Sequence, residues 1–254
     1  GPWVKPDEAM RYLASSQITV EGPQHIETTI AAPAADFEDV RTIAYPAPEG
    51  YASRPDAVIT TDFAAPDAAS VADGDTSTGI QLPAGRANTV TYDCKAPYTA
   101  RSLTLKFLPA PAAYGARIEA EIDGTFTTVA SFNVDRSNPA INVGFDPYAP
   151  VTVSFAATTA RRFRLVTDPA GRAGGLAEIE LSAQPRIASY AEKTLAKMCQ
   201  TPLPYWNHYM WPAQAEVDDA ACAIDPASVQ DISAAITADG TLSWDVPEGR
   251  WVVM

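Results

Sequence analysis

Ala72-Asp73-Gly74-Asp75-Thr76-Ser77-Thr78-Gly79, taken with the distant Leu176-Ala177-Glu178-Ile179-Glu180-Leu181, decides how this chain is read. The first stretch is a tight acidic turn. Asp73 and Asp75 flank Gly74, which tolerates φ > 0, and the hydroxyls of Thr76 and Thr78 follow within the same bend. Hard oxygens concentrated in a bend suit Ca²⁺, which takes about 6–8 oxygen ligands from carboxylates and carbonyls. The second stretch alternates apolar and acidic residues and reads as a strand, one that can return Glu178 to the acidic turn. Two readings stand: a metal-holding turn that joins two ends of one β-domain, or a solvated turn and nothing more.

Outward from that pair, residues 51–185 read as a self-contained inner domain. Strands are expected at 57–61, 88–94, 100–107, 116–123, 126–132, 151–156, 161–167 and 176–182. Ile118-Glu119-Ala120-Glu121-Ile122 alternates between two faces, and Asp123-Gly124 is a hairpin signal leading into Phe126-Thr127-Thr128-Val129. Eight short strands with turns between them fit a jelly roll. The loops at 108–116, 135–150 and 168–175 are rich in Pro, Gly and Asn.

The flanks, 1–50 and 186–254, read as one outer segment. A short helix is expected over 6–14, with Pro6 at its first position and Asp7 and Glu8 in its first turn. Two strands follow within 16–30, separated by Gly22-Pro23, and a third is centred on Val40–Tyr45 before Pro46. Ser189 caps an expected helix running to Met198, and four aromatics crowd Tyr205–Trp211. From 225 onward the pattern is β again, around expected turns at Ala238-Asp239-Gly240 and Pro247-Glu248-Gly249. Residues 16–50 and 225–254 share one alternating pattern, and neither has enough strands to stand alone, so they are expected to form a single outer β-layer. The abrupt start and the stop in mid-strand read as a piece of a longer protein.

Composition narrows the function. The chain has 254 residues, 22 of them Pro, and a net charge of −13 from 18 Lys and Arg against 31 Asp and Glu. That balance argues against nucleic acid and anionic membrane surfaces as partners and leaves carbohydrate open. No run of 18 apolar residues reads as a membrane-spanning helix, and the start does not read as a signal peptide. Cys94, Cys199 and Cys222 are too few and too scattered for a disulfide framework or a zinc site; a Cys199–Cys222 pair and free thiols both stay open.

Several stretches carry family resemblances. The Asp-Gly-Asp turn with the late Ala177-Glu178 pair resembles the discoidin-like, galactose-binding-like jelly roll, also used by family 32 carbohydrate-binding modules. That resemblance implies a structural calcium held by Asp73, Asp75, Thr78, Ala177 and Glu178. Gly1-Pro2-Trp3-Val4-Lys5-Pro6-Asp7-Glu8-Ala9-Met10 resembles the GPWV-x-P-x-E-x-M stretch of glycoside hydrolase family 106, the α-L-rhamnosidases. Asp39-Val40-Arg41-Thr42-Ile43-Ala44-Tyr45-Pro46 is similar to a second segment of that family, and Asp239-Gly240-Thr241-Leu242-Ser243-Trp244-Asp245-Val246-Pro247-Glu248-Gly249-Arg250-Trp251 to a third. The resemblance implies a bacterial enzyme that is periplasmic, cell-surface or secreted. Its catalytic α/β-barrel would use carboxylates on a plant or microbial polysaccharide containing rhamnose. No catalytic carboxylate motif matches here, and a barrel of about 250 residues does not fit beside so much β-structure. The chain is therefore expected to be an all-β sandwich region inserted in, or packed against, the barrel of the same polypeptide, with no catalytic residue of its own.

For sugar contact, the loop residues Tyr114, Arg136, Asn138, Asn142, Tyr148 and Arg172 combine rings, amides and guanidinium groups at one end of the inner domain. Three function classes remain: an accessory region that binds carbohydrate or shapes the cleft, a purely structural or interaction module, and a catalytic fragment. His25 and His208 sit in unrelated contexts without a nucleophile elbow, which leaves a Ser-His-Asp site without support.

Overall fold

The computed structural model describes residues 14–32, 38–136, 148–188, 220–237 and 240–254. The expected helices at 6–14 and after Ser189, the Tyr205–Trp211 aromatics, Asn138, Asn142, Cys199 and most of the Ala238-Asp239-Gly240 turn lie outside them. The chain divides into two compact units: residues 1–49 with 221–254, and the intervening 50–220. Of residues 186–219, only 186–188 are among the described ones. At the start of that stretch Arg186 N donates to Ser154 Oγ at 2.8 Å.

The described part of the inner unit is mostly β. Its strands are β3 (Ala57–Thr61), β4 (Ile80–Leu82), β5 (Asn88–Phe107), β6 (Ala112–Ile122), β7 (Thr125–Arg136), β8 (Val151–Thr167) and β9 (Gly174–Ser182). They are ordered β4-β9-β5-β8-β6-β7, with β3 on β5. The two strands expected at 88–94 and 100–107 are one, and so are those expected at 151–156 and 161–167. Each long strand turns a corner. The β5–β8 register shifts between Asp93 and Tyr98 and again between Ala100 and Ser102, and such irregularities bend a strand sharply. The first half of β5 pairs with β3 and the second half with β9, so the ladder folds over into two layers.

The layers face each other across one core. Val90, Tyr92, Ile118, Phe163 and Leu165 from one half pack with Leu103, Leu105, Ile179 and Leu181 from the other, all buried. Tyr92 spans the gap, its hydroxyl donating to the Ile179 carbonyl at 2.6 Å. Burial drives that hydroxyl's pKa far above its ordinary value, with the nearby Glu178 and Glu180 charges adding to the rise.

The other unit is a four-stranded sheet in the order β1-β11-β2-β10, from β1 (Ile18–Thr29), β2 (Ile43–Pro46), β10 (Gln230–Asp231) and β11 (Thr241–Val253). β1 pairs antiparallel with β11 from Ile18↔Val253 to Thr29↔Thr241. Gly22-Pro23 does not separate two strands as expected. It lies at a register shift inside one strand, opposite Pro247-Glu248, which is likewise within β11 and not a turn. A bulge accommodates both prolines, since neither has an N–H to give to the ladder. β2 begins at Ile43, later than expected, and Val40 is exposed. One face is buried by Ala44, Ile232, Leu242, Val246, Trp251 and Val253, with Trp244 edge-on to Trp251 at 5.7 Å, and on the other face the paired Tyr45 and Val252 are buried as well.

Candidate functional site

The acidic turn hangs from a short 3-10 helix, Ala68–Ala72, whose first turn is capped by Asp67 and whose Val71 is fully buried in the core. Val71 fixes where the helix ends, and so where Asp73 begins. Asp73 then organises the turn: Oδ1 accepts from Asp75 N at 2.7 Å, and Oδ2 lies 3.0 Å from the Thr78 hydroxyl. The Asp75 carboxylate is turned the other way. Its Oδ1 accepts from both the hydroxyl and the amide of Ser77, at 2.7 and 2.8 Å, and these bonds hold its pKa below the ordinary carboxylate value. The Asp75 carbonyl is left for Thr78, 3.0 Å from its hydroxyl. Gly79 closes the turn at φ +152°, and any Cβ there would lie 2.1 Å from the Leu176 carbonyl. Only glycine lets the turn approach β9 this closely. Ile80 then pairs with Leu176.

Glu178 comes from β9 to meet this turn. Its side chain is fully buried, Oε1 accepts from Gly74 N at 2.7 Å, and Oε2 has no hydrogen-bond partner. Burial raises its pKa, and the neighbouring Asp73 carboxyl raises it further; the Gly74 amide and the Lys106 charge offset only part of this. A buried carboxylate oxygen without a partner, beside a second carboxylate, is costly unless something positive joins it. The donors present are hard oxygens: two carboxylates, the Asp75 carbonyl and the Thr78 hydroxyl, with Ala177 buried next in sequence to Glu178. That set fits Ca²⁺. Among the described residues no three His, Cys, Asp or Glu side chains converge. Asp73 and Glu178 are the carboxylates that meet here, so a cation's other ligands would be backbone and hydroxyl oxygens.

The loop residues expected to touch sugar have mixed placements. Tyr114 and Tyr148 are half-buried and pack on the core. Burial pushes the Tyr114 pKa well above its ordinary value. Arg136 is clamped onto carbonyls, its Nε donating to Ala149 O at 2.7 Å and Nη2 to Pro150 O at 3.1 Å. Arg172 is exposed.

Two arrangements were not anticipated from sequence. On the outer sheet, His25 Nδ1 lies 2.8 Å from Asp245 Oδ1, and Ser243 Oγ lies 3.3 Å from His25 Nε2. The order is that of a nucleophile, base and orienting carboxylate. It follows from cross-strand register, which sets His25 against Asp245 and Glu27 against Ser243. His25 is 52% and Asp245 91% exposed, so water reaches the whole array and no dry site forms around it.

The second is a groove of about 290 Å³ on the inner unit, where β6, β7 and the end of β8 meet. Gly115, Arg117, Ser131, Asn133 and Asp168 line it. Asp168 N donates to the Gly115 carbonyl at 2.8 Å, which sets the Asp168 carboxylate over Gly115.

No curated protein matches the sequence. Over its full length the chain matches a solved rhamnosidase from Novosphingobium sp. PP1Y, with 26% identity and a TM-score of 0.67, and it spans 24% of that protein. About half of the chain also overlays on two smaller structures, each 95% covered and each with 18% identity. One is the CBM32 of AlyQ in complex with 4,5-unsaturated mannuronic acid, with a TM-score of 0.41. The other is the Clostridium perfringens CpGH89CBM32-5 in complex with GalNAc-β-1,3-galactose, with a TM-score of 0.42. The sequence profile of glycoside hydrolase family 106, alpha-L-rhamnosidase, matches residues 1–254. This chain belongs to glycoside hydrolase family 106, the alpha-L-rhamnosidases.

Proposed function

We propose that this chain is a non-catalytic β-sandwich region of a bacterial α-L-rhamnosidase, which binds carbohydrate or shapes the cleft for a rhamnose-containing plant or microbial polysaccharide. The observation that carries this reading is coverage: all 254 residues match the family, yet they span 24% of the solved rhamnosidase. Chemistry supports it too. Glycoside hydrolysis needs two carboxyls facing each other across a cleft, and the groove at Gly115 is bordered by a single carboxylate, Asp168. The catalytic carboxylates then belong to the barrel of the same polypeptide, and the protein works in the periplasm, at the cell surface or outside the cell, where polysaccharide is found.

In this reading the acidic turn is a structural calcium centre. The Asp73 and Glu178 carboxylates would hold the ion with the oxygens of Asp75, Thr78 and Ala177. When bound, it supplies positive charge between two carboxylates that otherwise repel. The turn precedes β4 and Glu178 lies on β9, so this centre fastens an edge of the inner sandwich.

The test is an assay of this chain with an aryl α-L-rhamnoside. The expected result is release of the aryl group no faster than in buffer. Enzymatic turnover by these 254 residues would overturn the non-catalytic reading.

A further inference from the structure

We infer that the groove at Gly115 is a subsite for one neutral sugar ring, recognised through a pair of adjacent hydroxyls; this rests on the carbohydrate-binding reading above. At about 290 Å³ the groove lies at the lower end of the range for ligand sites and suits a single ring. Residue 115 has no side chain, and the Asp168 carboxylate lies over it. A Cβ at that position would lie 2.2 Å from Asp168 Oδ2 and 3.8 Å from Asn133 Oδ1, so the two acceptors converge on the space it leaves. Asn133 adds an amide donor, Ser131 a hydroxyl and Arg117 a guanidinium.

Charge selects the ligand class. The groove holds one carboxylate and one guanidinium, and these lie 3.9 Å apart at their nearest atoms. Arg117 is also bound to the buried Glu119, its Nε donating to Oε1 at 2.6 Å. An anion would meet Asp168, and a cation would meet Arg117 with a single carboxylate to hold it. A vicinal diol suits both, with hydroxyl donors for the Asp168 and Asn133 oxygens and oxygen acceptors for the Asn133 amide and Arg117. Part of the frame is set before any ligand arrives: Arg117 is held by Glu119, and the backbone that carries Asp168 by its bond to Gly115, which lessens the ordering that opposes binding.

The experiment is an NMR titration of the protein with methyl α-L-rhamnopyranoside, beside the same glycoside with its 2,3-diol blocked as an isopropylidene acetal. The expected result is saturable shifts at the amides of Gly115, Arg117, Asn133 and Asp168 with the free diol only. Asn133→Ala and Gly115→Ala should each weaken binding at least tenfold without moving the melting temperature. The first removes an exposed side chain, and the second adds a methyl against the end of a flexible one. No shift at the highest soluble concentration, equal binding of the blocked glycoside, or full affinity in both variants overturns the inference. Shifts confined to Tyr148 and Arg172 overturn it while leaving carbohydrate binding intact. Turnover of an aryl rhamnoside would sink the non-catalytic reading without touching the groove.

Discussion

Gly74 and Glu178, 104 residues apart, are joined by a 2.7 Å hydrogen bond from a turn amide to a carboxylate that water does not reach. The second oxygen of that carboxylate has nothing to accept from. If Ca²⁺ completes this site, it binds the folded chain alone and stabilises it by linkage. Free ion at about 100 times its Kd is worth about 2.7 kcal/mol, or roughly 5–10 °C in a domain of this size. Removing Ca²⁺ with a chelator should lower the melting temperature by that order. Glu178→Gln should melt at one temperature with or without chelator. Identical melts for both proteins under both conditions would mean that the turn is closed by hydrogen bonds alone.

Gly79→Ala tests the same turn from its other end. The new methyl would face a backbone carbonyl, which cannot swing aside as a side chain can. The positive φ adds strain. Hydrogen exchange should show the amides of 74–80 losing protection, with a destabilisation of about 2 kcal/mol or more. Unchanged protection would show that the turn does not rely on its close approach to Leu176.

Glu119 should make stability depend on pH in one direction. It lies buried on β6 between Arg117 and Arg164, and Arg164 also stacks over Phe126, 3.9 Å from the ring centre. Burial alone would raise its pKa, but the bonds and charges of the two arginines outweigh this and hold it below its ordinary value. The folded state therefore keeps the carboxylate ionised where the unfolded chain would begin to protonate it. Its contribution is fully present above the unfolded pKa of about 4.3 and is lost as pH falls through the folded value. Glu119→Gln should cost about 1–3 kcal/mol at pH 7, read by urea denaturation, and the gap to the parent protein should narrow steadily below pH 4. A gap that is constant with pH would mean the arginines do not stabilise the charged form.

Tyr92→Phe removes the hydroxyl that links the two layers and leaves the Ile179 carbonyl without that donor. The expected loss is about 1–2 kcal/mol, with the fold intact. Urea denaturation checks it, and a neutral result would mean that water replaces the hydroxyl.

The Ser243, His25 and Asp245 array should be inert. Hydrolysis of p-nitrophenyl acetate by the protein should not change in Ser243→Ala. A fall to background in that variant would make this exposed sheet face a second catalytic site.

The local pattern was legible where neighbours in sequence are neighbours in space. Ile118 to Ile122 alternates as expected, and Asp123 and Gly124, both at positive φ, turn the chain from β6 into β7. The expected strands at 88–94 and 100–107 leave a gap that holds Lys95-Ala96-Pro97. It is a corner, because Pro97 falls where the β5–β8 ladder is already interrupted, between Asp93 and Tyr98. No local signal separates a corner from an ending. The same limit hid the contacts at the sites. Asp73 and Glu178 are visible as candidates because acids in a tight turn invite a partner, whereas His25 beside Ser243, and Gly115 beneath Asp168, are consequences of register and of a missing side chain. Arg136 shows a related limit: a guanidinium near a loop suggests a ligand, and its bonds to the carbonyls of Ala149 and Pro150 follow from a loop path that no local pattern gives.

The pairing of Ile18 with Val253 gives the outer sheet a clock. At about 5–20 residues per second of synthesis, β1 leaves the ribosome on the order of ten seconds or more before β11 exists. Throughout that interval Ile18, Val20 and Ile26 have no facing strand, while everything the inner unit needs is made in between. Of the described strands, β1 is therefore the one that waits longest for its partner, with its apolar side chains open to whatever guards nascent chains.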